Sequence, residues 1–254
     1  MPIFVLKILT IKKIFIVKSK IKTLIYLFSI TLLGLTSCTK NENATPVAGS
    51  STLIKKIIKN RGSSIEVEYF KYNGNKLVTI SNGTNFIATY TYTGDEITRI
   101  VELIDNQFQN SMEYTYFDGK LATSVLTRNS DGIISYTYNY NTDGTVAYQK
   151  NNSGSISSGV LTLVNGNVVK NEVLSPSNVT YTYEYDAKNN PFKNILGYML
   201  LINENEMYSP NNLTVDNRNY GRNYKFKYDV NGFPTERQEF DADGNPRDLN
   251  QYFY

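Results

Sequence analysis

Few side chains in this chain could carry chemistry, and the most reactive is a lone thiol, Cys38, directly behind Leu35-Thr36-Ser37. Histidine is absent. Its absence removes the commonest general base, the usual zinc ligand and the switch that titrates near neutrality. Ser-His-Asp and Cys-His catalysis are excluded with it. Glu204 and Glu206 could in principle serve a glycosidase, which needs two carboxyl groups at a set separation. Nothing in the sequence places them across a cleft, and solvated loop acids are the plain reading. Asp241-Ala242-Asp243-Gly244-Asn245 offers oxygen donors but lacks the further spaced ligand and the distant glutamate of a calcium loop. Asp-Gly is also a preferred hairpin turn, so a turn is expected there, with no metal and no cofactor. The last constellation is aromatic: Tyr136, Tyr138 and Tyr140, then Tyr181, Tyr183 and Tyr185. Exposed, such a band could stack sugars or peptides; buried, it is core. Its alternation with Thr137, Asn139, Thr182 and Glu184 favours burial.

The elements that carry this band repeat along the chain. Aromatic segments run at Tyr69 to Tyr72, Tyr90 to Tyr92, Tyr114 to Tyr116, Tyr136 to Tyr140, Tyr181 to Tyr185 and Tyr224 to Tyr228. Turn residues follow at Gly74, Gly94, Gly119, Gly144, Gly166 and Asn190, spaced by 20, 25, 25, 22 and 24 residues. A unit of that length is one β-hairpin, two strands of about 8–10 residues with their turns. Period-2 spacing puts the tyrosines on one face and Thr, Lys and Glu on the other, the face suited to water. The expected fold is all-β, an antiparallel meander of hairpins forming a curved sheet or barrel-like structure. One segment breaks the period. Phe192, Ile195, Leu196, Met199 and Leu200 lie at offsets 0, 3, 4, 7 and 8 behind Asn190-Pro191. That stripe predicts a helical insert near residues 191–203, closing an end or a face of the sheet.

Bulk charge misleads here. The chain has 254 residues, 26 basic and 23 acidic, net +3. Residues 1–37 hold six lysines and no acid, so residues 38–254 carry 20 basic against 23 acidic side chains, net −3. A mixed, slightly acidic surface offers nucleic acid no basic footprint, and no nucleic-acid partner is expected. Lys18, Lys20 and Lys22 precede a 13-residue apolar run, Thr23 to Leu35, and small residues follow. These are the parts of an export signal, and the run is short of the ~20 residues that span a bilayer. The lysine-broken apolar stretch 2–17 lengthens the basic region, as it would if translation began downstream of Met1. Residues 38–52 are rich in Asn, Thr, Ser, Gly and Pro and read as a flexible tether, and residues 53–254 as one domain.

With cysteine directly after Leu35-Thr36-Ser37, the leader resembles a bacterial lipoprotein signal with its lipobox. The resemblance implies that the Cys38 thiol is acylated, that residues 1–37 are removed and that lipid holds the chain on a membrane. Tyr183-Glu184-Tyr185-Asp186 and Phe226-Lys227-Tyr228-Asp229-Val230-Asn231-Gly232 look like YD repeats; Tyr138-Asn139-Tyr140-Asn141 carries Asn in place of Asp. Together with the insert Asn190-Pro191-Phe192-Lys193-Asn194-Ile195, these features resemble an uncharacterised family of Bacteroidota lipoproteins with a porin-like β-fold. The family brings no established activity to transfer. Thr39-Lys40-Asn41-Glu42-Asn43 departs from the acidic surface-export pattern of some such lipoproteins, which leaves periplasmic and cell-surface display both open.

These features together point to a non-catalytic binding or scaffold module anchored at the outer membrane, with glycan or an envelope protein as ligand. An envelope enzyme and a membrane-embedded β-barrel are the alternatives. Against the barrel stands the last strand: Asp248 and Asn250 share a face with Tyr252 and Tyr254, and would meet lipid if that face did.

Overall fold

The computed structural model describes residues 52–130, 132–204, 208–218 and 221–254. Cys38 and Leu35-Thr36-Ser37 lie outside the described residues. The strands in chain order are β1 (Lys56–Arg61), β2 (Ser64–Asn73), β3 (Lys76–Ser81), β4 (Phe86–Thr93), β5 (Glu96–Ile104), β6 (Gln107–Phe117), β7 (Lys120–Arg128) and β8 (Gly132–Tyr140). They continue with β9 (Val146–Asn152), β10 (Ser155–Val164), β11 (Asn167–Ser175), β12 (Val179–Tyr185), β13 (Leu213–Asp216), β14 (Arg222–Tyr228), β15 (Pro234–Phe240) and β16 (Pro246–Phe253). Each pairs antiparallel with the next, and β1 pairs with β16, so the meander closes into a barrel rather than an open curved sheet.

Local chemistry makes the hairpins. At the β6–β7 connection Asp118 and Gly119 have φ of 52° and 67°. Two successive positive φ values define the mirror-image turn whose twist suits a two-residue hairpin. The aspartates of the YD-like units serve turns as well: Asp229 Oδ1 accepts the backbone N–H of Asn231 and of Phe233. Asp241 does the same for Asp243 and Asn245, so the sequence Asp241 to Asn245 is a hairpin turn.

Burial alternates along the strands, and the covered face points into the barrel. Ile57, Leu77, Ile97, Leu121, Val146, Leu161 and Val168 are all at most 2% exposed. The outward face carries Thr89, Thr137, Thr182, Lys225 and Gln251, and ion pairs such as Arg99–Glu113 and Lys227–Glu236. On β16 the inward residues are Asn250 and Tyr252, both 7% exposed, so the outward set is Arg247, Leu249, Gln251 and Phe253. The face bearing Asp248 and Asn250 therefore lines the lumen, and it is the other face that bears on any contact with lipid.

A recurrent contact locks neighbouring hairpins. Between Lys71 and Tyr72 the register partner moves from Thr79 to Leu77, leaving Val78 as a bulge. Equivalent shifts leave Thr98 on β5, Ala122 on β7, Val169 on β11 and Thr235 on β15. A bulge strands backbone groups beside it. Tyrosine hydroxyls from the following strand reach those positions. Tyr116 donates to the Ile97 carbonyl at 2.7 Å, Tyr185 to Val168 at 2.9 Å and Tyr254 to Pro234 at 3.0 Å. Tyr92 accepts the Leu77 N–H at 3.0 Å, and Tyr72 donates to the Ile54 carbonyl at 2.7 Å. All of these contacts lie at one end of the barrel, the end where the chain enters at β1 and leaves after β16; this is the near end. The β1–β2, β3–β4 and β13–β14 connections lie at the far end.

The helix expected over residues 191–203 does not form. Lys193, Ile195 and Tyr198 donate to the carbonyls three residues back, a series of isolated turns, and the only regular piece is a 3-10 turn at Tyr198–Leu200. Gly197 has φ 73°, outside any right-handed helix, and a Cβ there would stand 2.6 Å from the Asp95 carbonyl oxygen. The glycine lets the segment pass directly against the β4–β5 turn. Its apolar residues fill the lumen instead of a helix face: Ile195, Leu201 and Ile202 are 3%, 1% and 8% exposed.

Two outcomes test this arrangement. Tyr116→Phe orphans the Ile97 carbonyl and should lower stability by about 1–2 kcal/mol, read by urea denaturation. The second is a pH response. Burial raises Tyr92, Tyr116 and Tyr185 above the ordinary value of 10.0 and pushes Tyr183 up to about 12. Unfolded tyrosines ionise near that ordinary value, so stability is complete below it and is lost as pH rises from there through the folded values. Tyrosinate absorbance of these groups should therefore appear together with loss of the β-sheet circular dichroism signal, not ahead of it.

Candidate functional site

The segment between β12 and β13, described at residues 186–204 and 208–212, leaves the wall at the near end and turns into the barrel as a plug. Its stem is clamped: Asp186 N–H donates to the Asn212 carbonyl, Asn212 N–H returns a bond to Asp186 Oδ1, and the Tyr228 hydroxyl donates to Asp186 Oδ2. Leu196 N–H donates to Asn75 O at 3.0 Å, and Asn194 Nδ2 to Thr52 O at 2.9 Å, so the segment roofs the near end. Deeper in, the Lys150 ammonium pairs with Glu204 Oε1 at 2.5 Å, and the Tyr136 hydroxyl donates to the same oxygen at 3.1 Å. Glu204 is thus a lumen residue tied to β8 and β9. Its expected companion Glu206 lies outside the described residues.

Two small cavities in the lumen share Tyr208. One, about 180 Å³, lies between the plug and the wall from β6 to β9, with Arg128, Tyr136 and Lys150 among its lining. The other, about 290 Å³, lies between the plug and the wall from β13 to β16. Aromatic rings supply much of its surface: Phe192, Tyr198 and Tyr208 from the plug, Tyr224, Phe226 and Tyr252 from the wall. Phe192–Tyr198 and Tyr198–Tyr208 ring centroids are each 5.1 Å apart, a contact spacing that fixes the plug side as one continuous aromatic surface.

Among the described residues, charge in this cavity and beside it on β14 and β15 is arranged in pairs with one exception. Arg218 binds Asp216 at 2.8 Å, and Arg222 binds Glu239 at 3.0 Å. Arg237 lies opposite Phe226 on one side and Asn250 on the other. Its guanidinium stacks over the Tyr224 ring at 5.1 Å, and its Nε is buried with no hydrogen-bond partner among the described residues. A buried unsatisfied donor is costly and rare in native proteins, which makes Arg237 the group in the lumen best placed to bind something.

The aromatic band divides by position. Tyr138 and Tyr183, 6% and 3% exposed, belong to the core; Tyr136, Tyr181 and Tyr185 pack against it partly covered; Tyr140, 38% exposed, stands at the near rim. None of these six lines the larger cavity. Sequence reasoning missed Arg237 because Thr235-Glu236-Arg237-Gln238-Glu239 is polar on both faces. Only the pairing of Arg237 with Phe226, the aromatic face of β14, assigns it inward.

No family model matches the chain, and no curated protein matches it. Among solved structures it is similar to a porin-like protein from Bacteroides vulgatus ATCC 8482, at 12% identity and TM-score 0.53, over 80% of this chain and 98% of that one. A porin-like protein from Bacteroides uniformis ATCC 8492 is similar at 14% identity and TM-score 0.50, over 80% of this chain and 96% of that one. The shared feature is the fold, a closed antiparallel β-barrel of the porin-like kind.

The plug's hold on the wall is testable at Glu204. Glu204→Ala leaves the Lys150 ammonium unpaired in a mostly covered site and should cost about 1–3 kcal/mol. Hydrogen exchange of the Leu196 and Leu201 amides should quicken in that variant while strand amides of β5 and β6 hold.

Proposed function

We propose that this chain is a non-catalytic binding module of the cell envelope, a barrel standing in water and held at the outer membrane by lipid on Cys38. The observation that carries the reading is the direction in which the barrel wall faces. A membrane barrel turns an apolar band outward and keeps a polar lumen. Here the near half of the lumen holds the aliphatic and tyrosine core, and Arg99, Glu113, Lys170, Glu172 and Lys225 point outward from the middle of their strands, on a face they share with exposed aliphatics such as Ile65, Ile133 and Leu174. A Lys or Arg near the bilayer midplane costs about 2–4 kcal/mol on a barrel's lipid face.

Strand length argues the same way. Crossing a bilayer takes about 9–11 residues per strand. β1 and β3 have six residues, β12, β14 and β15 seven, and β13 four.

The module reading gives the lumen its role. Plugged at the near end, the barrel presents the aromatic cavity beside Arg237 as the place where a small molecule, a glycan unit or a side chain of an envelope protein would be held. Among the described residues, the lumen carboxylates Glu204, Asp216 and Glu239 are each bound to a cation, which favours a structural role for these three over acid–base chemistry.

The second reading is a barrel whose strands cross the outer membrane, and the porin-like neighbours are what favours it. The two readings separate on handling. The segment 52–254, made without leader or lipid, should fold and melt cooperatively in buffer free of detergent; a requirement for detergent would sink the water-facing reading. Mass spectrometry of the protein from its own membranes should give a chain beginning at Cys38 and heavier by a diacylglycerol and an acyl group. An unmodified N-terminus would remove the anchor.

A further inference from the structure

We infer that the cavity beside Arg237 takes a small ring-bearing carboxylate, of which a uronate sugar is the model case, with its carboxylate on the Arg237 guanidinium and its ring against the aromatic wall. This rests on the reading of the barrel as a binding module and names the class of molecule it would hold.

Three features converge. The first is the free side of Arg237. Carboxylates bind arginine most strongly through two parallel N–H donors, and the side-on fork uses Nε. Nε of Arg237 is the donor left buried and unsatisfied, while the neighbouring acids are already taken, Asp216 by Arg218 at 2.8 Å and Glu239 by Arg222 at 3.0 Å. A carboxylate entering the cavity would answer both the missing hydrogen bond and the missing charge. Stacking on Tyr224 at 5.1 Å fixes the plane of the guanidinium, so the fork is set before a ligand arrives.

The second feature is the wall. Phe192, Tyr198, Tyr208, Phe226 and Tyr252 surround the space with ring faces and edges, and such surfaces hold flat or apolar ring faces better than extended polar chains. The third is size. At about 290 Å³ the cavity sits at the small end of the range for ligand sites, room for one ring and not for an oligosaccharide. Asn250, the register partner of Arg237, is 7% exposed and adds an amide on the same inner face.

Uronate sugars and aromatic acids share this chemistry, and titration separates them. The full chain, purified in mild detergent, is titrated calorimetrically with sodium glucuronate, sodium benzoate and glucose. Saturable binding of glucuronate or benzoate at one site per chain supports the assignment and says which kind of ring is preferred. Glucose should bind weaker by on the order of tenfold or more, since it lacks the charge that the arginine fork reads. Arg237→Lys keeps a cation but loses the fork, and should weaken carboxylate binding by about tenfold. Arg237→Leu should abolish it, with unchanged thermal melting as the check on folding. Lys227→Leu, on the outer face, should leave binding as it is.

Binding of neither acid, glucose binding as well as glucuronate, or binding that survives Arg237→Leu each overturns the assignment. Loss of the ligand class in a segment 52–254 that is soluble without detergent would overturn this site alone and leave the anchored module standing.

Discussion

The fold depends on tyrosine hydroxyls that satisfy the backbone beside its bulges. Each aliphatic strand of the well-formed hairpins gains one residue near its turn, at Val78, Thr98, Ala122, Val169 and Thr235. That residue re-aims the aliphatic side chain before it, so Leu77, Ile97, Leu121 and Val168 drop into the lumen, each at most 2% exposed. The same shift leaves a main-chain group with no ladder partner, and in an interior closed to water such a group is expensive. A tyrosine has both the reach and the amphipathic body to fill the space and make the bond. Tyr116 to Ile97 and Tyr185 to Val168 are the clearest cases. Alternating aromatics, glycine turns and inward aliphatics are therefore one device repeated, and bulges that raise local twist also help the sheet to close.

Closure creates a problem that the plug solves. Sixteen strands make a ring that in membrane porins is wide enough for a water-filled channel. Lined with leucine, isoleucine and tyrosine, such a channel would expose the core it is meant to bury. Residues 186–204 and 208–212 occupy it. Asp186 and Asn212 pin the two ends of the segment together at the wall, and the Lys150–Glu204 pair fixes its deepest described part. The filling is incomplete, and the spaces that remain are where function is best sought. In one of them a partly buried arginine is held on a tyrosine face with its buried Nε donor unpaired among the described residues.

Much of this architecture is legible in the sequence, and the failures are physical. Tyr136, Tyr138 and Tyr140 mark a strand face, and Gly94 and Gly119 mark turns, so strand identity and the direction of burial follow from period and turn chemistry. Closure is not legible. It depends on bulges whose residues, Thr98 and Ala122 among them, look like ordinary strand residues. The helix expected over residues 191–203 fails because apolar spacing of three and four also arises when a chain makes successive three-residue turns against a curved wall. Gly197, a small discount on a helix from sequence alone, is the point where backbone packs on backbone. On β16 Asp248 and Asn250 would meet lipid only if the face they share with Tyr252 turned outward; that face lines the lumen instead, whose far end is polar. A residue's type does not give its side when the interior itself changes character along the barrel axis.

If the outer face of this barrel meets water around its whole girth, spin labels on that face should report it. Cys38 is the only cysteine and carries the proposed anchor, so single labels at Thr137→Cys, Thr182→Cys and Gln251→Cys would report the middle of the wall on three sides. With the intact lipid-bearing protein in bilayers, a water-soluble nickel complex should relax all three strongly, and oxygen dissolved in the hydrocarbon should relax them little. Oxygen-dominated relaxation at all three sites would place the wall in the membrane and overturn the water-facing barrel.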